Sequence, residues 1–365
     1  MPRLNSRVFI SAAEILVPPA QALKDFLPQF LEAQSAMRAT QTKINDQIYI
    51  ESLELKLDAS NPHHPSVRDV KSMRVDVVAM CICMGKMLEK YGPSNWAEVP
   101  LFLSAGASAS GLTEEIQGIY SLLRNHISSD ESRRNQQVNR DIHPLFALKA
   151  LTNSAQAYAA QFFGFRGQNT TFGSTSNAGL HSLLEGFEAI QCGDVDRVVV
   201  GASNGGGFFS QLMGIGLAPE GQSFRESPVA VAMILESEKC FLQREKAPVC
   251  EIFEIKSSSR LPQFELLEPS QTYFEFKKGN YDQAIFSGGA CFENWKTEQT
   301  SVNSHWKKSW SPYPVLGGTG CTSFLLNIAL AFQMLEENLV SNIDCLDTDT
   351  YFRESRVQLG RALPV

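Results

Sequence analysis

Residues 141–201 read DIHPLFALKALTNSAQAYAAQFFGFRGQNTTFGSTSNAGLHSLLEGFEAIQCGDVDRVVVG, and the elements they imply decide the fold. Pro144–Phe163 is helix-like and Thr170–Gly173 is short and extended. Ala178–Ile190 is amphipathic: Leu180, Leu183, Leu184, Phe187 and Ile190 recur at about the 3.6-residue helical period, and Gly193 stands where a C-terminal cap belongs. Arg197–Val200 (RVVV) then makes an apolar strand entering the Gly201–Gly207 turn. Buried runs of this kind mark parallel strands covered by helices on both faces, an α/β architecture.

The same alternation extends outward in both directions. Upstream, Arg7–Ser11 (RVFIS) is a strand and Ala20–Phe30 a helix, with Leu23, Phe26, Leu27 and Phe30 on one side. Ser72–Tyr91 is a helix that Gly92-Pro93 stops, and Val99–Leu103 a strand running into the small-residue turn Ser104–Gly111; Leu112–Arg124 follows as a helix. Downstream lies a second apolar run, Ala230–Leu235, and then the polar segment Glu236–Lys246, which reads as a seam. Val249–Ile255, Gln283–Phe286, a Gly317–Thr322 turn and the helix Phe324–Leu335 repeat the theme less regularly. Two α/β halves, 1–245 and a shortened 246–365, are expected.

Composition removes several function classes. The chain has 365 residues, 43% of them hydrophobic and 19% charged, enough for a large core. Its net charge of −7 argues against nucleic acid as a partner. The longest apolar run, Val77–Met84, ends at Gly85-Lys86, far short of the roughly 18 residues of a membrane span. Val8–Val17 is interrupted by Glu14 and ends in Pro18-Pro19, unlike a cleaved signal. Eight scattered cysteines include one close pair, Cys81 and Cys83, without C-x-x-C spacing; reduced thiols in a cytoplasmic protein are expected.

Two serines are candidate nucleophiles. Ser176 precedes the amphipathic helix, where backbone amides and the helix dipole stabilise a developing anion; capping by Ser176 or Asn177 explains the same residues. Gly201-Ala-Ser203-Asn-Gly205 matches G-x-S-x-G after a strand, yet a hydrolase also needs a downstream histidine, and only His305 follows; a tight structural turn is the alternative. His63-His64 lies in a turn without the helical spacing of a metal pair, and His181 fits a buried hydrogen bonder as well as a base. Gly318-Thr-Gly320 lacks the third glycine of a dinucleotide loop. No metal and no bound cofactor is expected.

The stretch His143–Asn169 resembles the helix and turn ahead of the active site in β-ketoacyl synthases. Gly173–Ser182 resembles their nucleophile segment, in which a Cys within T-A-C-A-S-G begins the helix. Glu185–Ile190, Gly193-Asp194 and Val198–Ala202 resemble the rest of that helix, its turn and the next strand. Val67–Gly92 and Arg7–Pro18 are similar to the family's early helix and first strand, so the likeness spans about 1–240. It implies the thiolase fold: duplicated βαβαβαββ halves in an αβαβα layered sandwich, here with the C-terminal half shortened.

The departures carry the functional expectation. Aligned on Gly179 and His181, the nucleophilic Cys position holds Ser176. The family's first catalytic His, in H-G-T, falls near Ser287, and its second, in G-H-x-x-G, near Gly318. The lysine five residues earlier is Tyr313, and Thr348–Leu359 has no counterpart of the terminal G-F-G-G turn. Without a thiolate or histidines, decarboxylative condensation loses its nucleophile and its proton-transfer and electrostatic assistance together. The resemblance therefore implies a silent chain-length-factor-type subunit, closest to those of aryl polyene and other reducing type II polyketide systems. Such a subunit pairs with an active β-ketoacyl synthase and shapes its acyl tunnel. The tunnel wall would be Leu112, Ile116, Tyr120 and Leu123, which share roughly one helix face; core packing explains them equally. The phosphopantetheine would belong to an acyl carrier protein docking mainly on the mate. The rivals are an active serine acyltransferase or hydrolase using Ser176 or Ser203, and a non-catalytic acyl-carrier-binding module.

Overall fold

The computed structural model describes residues 6–18, 20–32, 39–43, 49–106, 130–141, 145–174, 177–206, 223–244, 250–259, 281–287, 299, 302–348 and 353–362. In chain order these form β1 (Val8–Leu16), α1 (Leu23–Leu31), β2 (Ala39–Lys43), β3 (Tyr49–Leu53), α2 (Val67–Val70), α3 (Val75–Tyr91), β4 (Leu101–Gly106), α4 (Glu131–Asp141), α5 (Phe146–Ala150), α6 (Ser154–Phe163), β5 (Asn169–Ser174), α7 (Asn177–Gln191) and β6 (Arg197–Asn204). There follow β7 (Ser223–Glu226), β8 (Val229–Ser237), α8 (Glu238–Leu242), β9 (Cys250–Ser259), β10 (Gln283–Ser287), β11 (Lys308–Trp310), α9 (Tyr313–Leu316), α10 (Ser323–Glu336), β12 (Asn342–Thr348) and β13 (Arg353–Arg361).

Ten strands share one ladder in the order β11-β10-β12-β13-β9-β1-β8-β6-β4-β5. The ladder divides into two blocks with the same internal order. Numbered along the chain, the strands of each block lie third, second, fourth, fifth, first, with parallel pairing among the second to fourth and antiparallel pairing beyond. The blocks meet where Val8, Phe9 and Ile10 of β1 pair antiparallel with Ile252, Glu251 and Cys250 of β9. The expected duplicated thiolase-type architecture is present.

Burial sorts these elements into layers. Within β1 the ladder slips between Ile10 and Ala12, leaving Ser11 as a bulge. Val8 and Ile10 before it, and Ala13 and Ile15 after it, all join the cluster containing α1, α7 and α10; Ala12 and Leu16 join the one containing α3. One inserted residue thus reverses which parity faces inward. The layers run α3 and α6, the N-terminal block, α1 with α7 and α10, the C-terminal block, then an outer cluster built around Val302 and Trp306. Every residue of α10 from Ser323 to Leu335 is buried, as a helix walled between two sheets requires. The caps are local. Gly193 (φ 77°) ends α7 with Asp194 N–H bonded to Ala189 O and Gly193 N–H to Ile190 O, and Asn338 (φ 63°) does the same for α10. Ala22 offers α1 no side-chain cap, so Glu14 of β1 accepts the Leu23 N–H at 2.6 Å.

One expectation needs correction. Pro144–Phe163 is not one helix. It breaks between α5 and α6, where Leu151 turns extended (ψ 124°), because Arg74 takes the Lys149 and Leu151 carbonyls while its other nitrogens hold Asp76 at 2.9 Å. Glu236 and Ser237 finish β8 and 238–242 form α8, so this polar segment runs from the last strand of the N-terminal block toward the first strand of the C-terminal block. Gly317–Thr322 is a 3₁₀ turn at Gly320–Thr322, preceded by α9. The helix expected at Leu112–Arg124 lies outside the described residues. Among those residues no helix is long and apolar enough to cross a membrane.

The Glu236 carboxylate, fully buried, ties several elements together. It accepts from Ser11 Oγ, Tyr91 Oη (2.5 Å), Arg244 Nη1 (2.6 Å), Arg197 Nε (3.2 Å) and Cys240 Sγ (3.2 Å), and the Arg244 guanidinium sits 4.1 Å from the Tyr91 ring centre. Burial pushes its pKa up, but the Ser11, Tyr91, Cys240 and Arg244 donors outweigh burial and leave it below the usual carboxylate range. A depressed native pKa adds stability above the unfolded-state value, and that stability is lost as pH falls through the native one. Glu236→Gln is expected to cost about 3 kcal/mol at neutral pH, with the deficit shrinking below about pH 4. Urea unfolding across pH 3–7 measures it; a constant deficit would refute the ionised hub.

Candidate functional site

The parallel strands β4, β5 and β6 end together at Gly106, Ser174 and Asn204, and α7 leaves from that corner. The first N–H groups of a helix lack intrahelical partners and carry the positive end of the dipole, so this corner favours an acceptor oxygen. Ser176 falls between β5 and α7 in the chain but lies outside the described residues, as do Leu112, Ile116, Tyr120 and Leu123.

The opposite wall comes from the C-terminal half. A Cβ on Gly179, in the first turn of α7, would stand 2.7 Å from the Cys321 carbonyl. Glycine there lets the 3₁₀ turn approach the helix. The Cys321 thiol donates to Ser203 O at 3.2 Å, and burial, with a smaller contribution from the charge of Asp76, raises its pKa far above the ordinary thiol value. It is a neutral structural thiol, not a thiolate nucleophile. Gly318 bridges to Glu226: its N–H donates to Arg225 O (2.8 Å) and its carbonyl accepts from Ser227 N (3.1 Å). This position holds no side chain, and its backbone is already engaged. Gly317 beside it has φ 71°, and a Cβ there would strike the Arg225 backbone. The small sheet β2-β3-β7 is therefore pinned to this turn through β7.

Ser287 ends β10 inside a buried polar knot. Its hydroxyl donates to Asp347 Oδ1 (3.0 Å) and accepts from Asn327 Nδ2 (3.0 Å); Ser323 Oγ donates to Asp347 Oδ2 (2.9 Å), and Asn327 Nδ2 also reaches Leu346 O (2.9 Å). Asp347, Asn327 and Ser323 went unread in the sequence. The only signals were an Asp closing the apolar strand IDCLD and an Asn within the apolar FLLNIALAF.

The remaining candidates are dispersed. Ser203 is the penultimate residue of β6; it is fully buried and its Oγ has no hydrogen-bond partner. His305 sits in the outer layer beside Trp306 (ring centres 5.9 Å apart), so among the described residues it is not assembled into a serine–histidine pair with Ser203. His181 stacks on Phe172 at 6.2 Å. His63 pairs with Glu89 (3.0 Å) and His64 with Pro65 O (2.7 Å). Among the described residues no group of three His, Cys, Asp or Glu side chains could hold a metal ion.

The family model for the β-ketoacyl synthase N-terminal domain matches residues 6–207. No curated protein matches the sequence. Solved structures share the fold at low identity. The ishigamide ketosynthase/chain length factor is 12% identical with TM-score 0.70, covering 98% of this chain and 100% of that one. A β-ketoacyl synthase from Burkholderia phymatum STM815 is 11% identical with TM-score 0.71 over the same shares. A type II polyketide synthase acyl-carrier protein in complex with its ketosynthase bound to the hexaketide gives 14% and 0.69, again with 98% and 100% covered.

Two measurements check the geometry of this corner. In native protein at pH 8, iodoacetamide should modify exposed Cys192 and spare Cys81, Cys83, Cys250, Cys321 and Cys345 until the chain unfolds, as read by peptide mass; native labelling of Cys321 would refute its burial. Gly317→Ala should lower stability by at least about 2 kcal/mol, from the left-handed backbone and the Arg225 clash. Denaturant titration reads the loss, and a neutral result would reject the close approach.

Proposed function

The chain belongs to the β-ketoacyl synthase family, and on that footing we propose that it is a catalytically silent, chain-length-factor-like subunit of a polyketide-type system. The observation that carries this reading is the chemistry of the two C-terminal positions near which the resemblance puts the family's histidines. One is Ser287, bound into the Asp347–Ser323–Asn327 knot, and the other is Gly318, a bridged glycine. Neither residue can drive decarboxylation or hold an enolate oxygen as an imidazole does. With Ser176 in the nucleophile position, no activated attacking group is assigned.

A partner surface is consistent with this role. β5 is the terminal strand of the ladder and its residues are half-buried to exposed; Leu148, Leu151 and Phe162, on or beside the two preceding helices, are 47%, 50% and 39% exposed. An unpaired strand edge flanked by exposed apolar side chains is a template for strand addition. The proposed occupant is an active β-ketoacyl synthase of the same fold. Its acyl tunnel would be bounded by Leu112, Ile116, Tyr120 and Leu123, and it would receive the chain from a phosphopantetheine-bearing carrier docked mainly on itself. Synthesis of an aryl polyene or a related reduced product is the proposed setting.

Co-expression with an intact Cys-His-His ketosynthase should yield a 1:1 complex by native mass spectrometry. A stable homodimer that ignores the mate favours a self-associating carrier-binding module and sinks the pairing. The chain alone should not turn over p-nitrophenyl esters or acyl thioesters; turnover abolished by Ser176→Ala or Ser203→Ala would establish an enzyme instead. In the active complex, Ile116→Ala or Tyr120→Ala should lengthen the product by at least one two-carbon unit, and unchanged product lengths would reject that wall.

A further inference from the structure

We propose that the side-chain amide of Asn204 donates a hydrogen bond to a carbonyl oxygen of a carrier-delivered acyl group at the corner where β4, β6 and α7 meet. This rests on the reading of the corner as an acyl site that has lost its reactive groups.

Asn204 ends β6, and strand alternation places it on the same face as Val198, Val200 and Ala202, the face packed against α7 and α10. It is 6% exposed, and its Nδ2 is buried without any hydrogen-bond partner. An unmade bond at a buried donor costs about 1–3 kcal/mol, so the orphan calls for an explanation. The amide cannot swing away to find a partner. A Cβ on Gly106 would stand 2.9 Å from Oδ1 and one on Gly320 2.7 Å from Nδ2, so two glycine backbones clamp the group from either side.

The other half of the molecule supplies an internal control. In the repeated strand order, β12 is to the C-terminal block what β6 is to the N-terminal block. There Asp347, the penultimate residue of the strand, has its carboxylate bonded by the hydroxyls of Ser287 at the end of β10 and Ser323 at the start of α10. The corresponding corner at Asn204 holds an amide with an unused donor. What the C-terminal corner leaves unpaired is an acceptor, Asn327 Oδ1, whereas the Asn204 corner leaves a donor, which an oxygen from outside would answer. Nδ2 can only donate, so the incoming atom is an acceptor. Among the described residues the adjacent groups, Gly106, Gly320 and the neutral Cys321 thiol, offer no cation, so an uncharged carbonyl suits the position better than a carboxylate or phosphate. Two carbonyl sources qualify: the acyl chain itself, through its thioester or β-keto oxygen, and the amides of the pantetheine arm.

The test uses the full chain labelled with ¹⁵N-asparagine, the Asn204 side-chain signal being assigned by its absence in Asn204→Leu. Acetoacetyl-pantetheine, butyryl-pantetheine and pantetheine are titrated separately. Movement of the Asn204 Nδ2 signal with the acyl compounds alone assigns the chain carbonyl, and movement with pantetheine assigns the arm; both support the contact. Asn204→Leu, similar in shape but without donors, should weaken binding at least fivefold. If that variant fails to fold, Asn204→Asp, which keeps the shape and removes the amide signal, supplies both the assignment and the affinity comparison. An unmoved signal at the highest concentration of all three probes, or equal affinity in Asn204→Leu, overturns the proposal. Hydrolysis of a probe together with a moved signal leaves the contact standing and defeats the silent-subunit reading instead.

Discussion

Two helices walled between two sheet blocks are the constraint on which the rest depends. α7 and α10 lie against each other with strands on both sides, so side chains there must pack closely and a polar atom left unanswered from within is costly. That requirement explains why Gly179 and Gly186 lack side chains where the 3₁₀ turn and Val200 press against α7. It explains equally why Asn327, placed in the middle of an apolar helix, reaches both Ser287 and the Leu346 carbonyl. It also locates chemistry: the N-termini of these helices stand beside the carboxyl ends of parallel strands.

At those N-termini the two halves have diverged while keeping one frame. The C-terminal corner has become a buried hydrogen-bonded knot, in which the Ser287 and Ser323 hydroxyls bind the Asp347 carboxylate and the Asn327 Nδ2 amide donates to Ser287. Such a cluster is rigid and specific, and it leaves no group poised to accept a proton from substrate. On the proposed reading, a scaffold for carbon–carbon bond formation would lose reactivity in this way while keeping the shape that a subunit bounding another protein's tunnel needs.

The long buried runs were legible in the sequence because burial repeats at a fixed period. The strand RVVV, the run Ala230–Leu235 and the helices ending at Gly193 and near Asn338 all appear close to their expected places. What stayed hidden was held by tertiary contacts that leave no local pattern. Glu236 looks like the start of a polar linker and is instead a buried hub, because its five donors come from β1, α3, β6, α8 and the residues just after α8. The break at Leu151 is set by Arg74, seventy-seven residues away. The polar helix α4 and the small sheet carrying ATQTK lack an apolar stripe altogether. At the site, Gly318 and Ser287 were singled out through resemblance, whereas Asp347 and Asn204 show their importance only through partners, present or missing.

The bulge at Ser11 has a consequence beyond its local geometry. It falls immediately after the three residues of β1 that border both blocks, and the residues beyond it pair with β8 alone. Bulges bend a strand and increase its twist. Placed at this fork, the extra residue acts as a crease: along one short seam the two copies of an ancestral half share a ribbon, and past it they fold toward each other like facing pages, enclosing the helices between them.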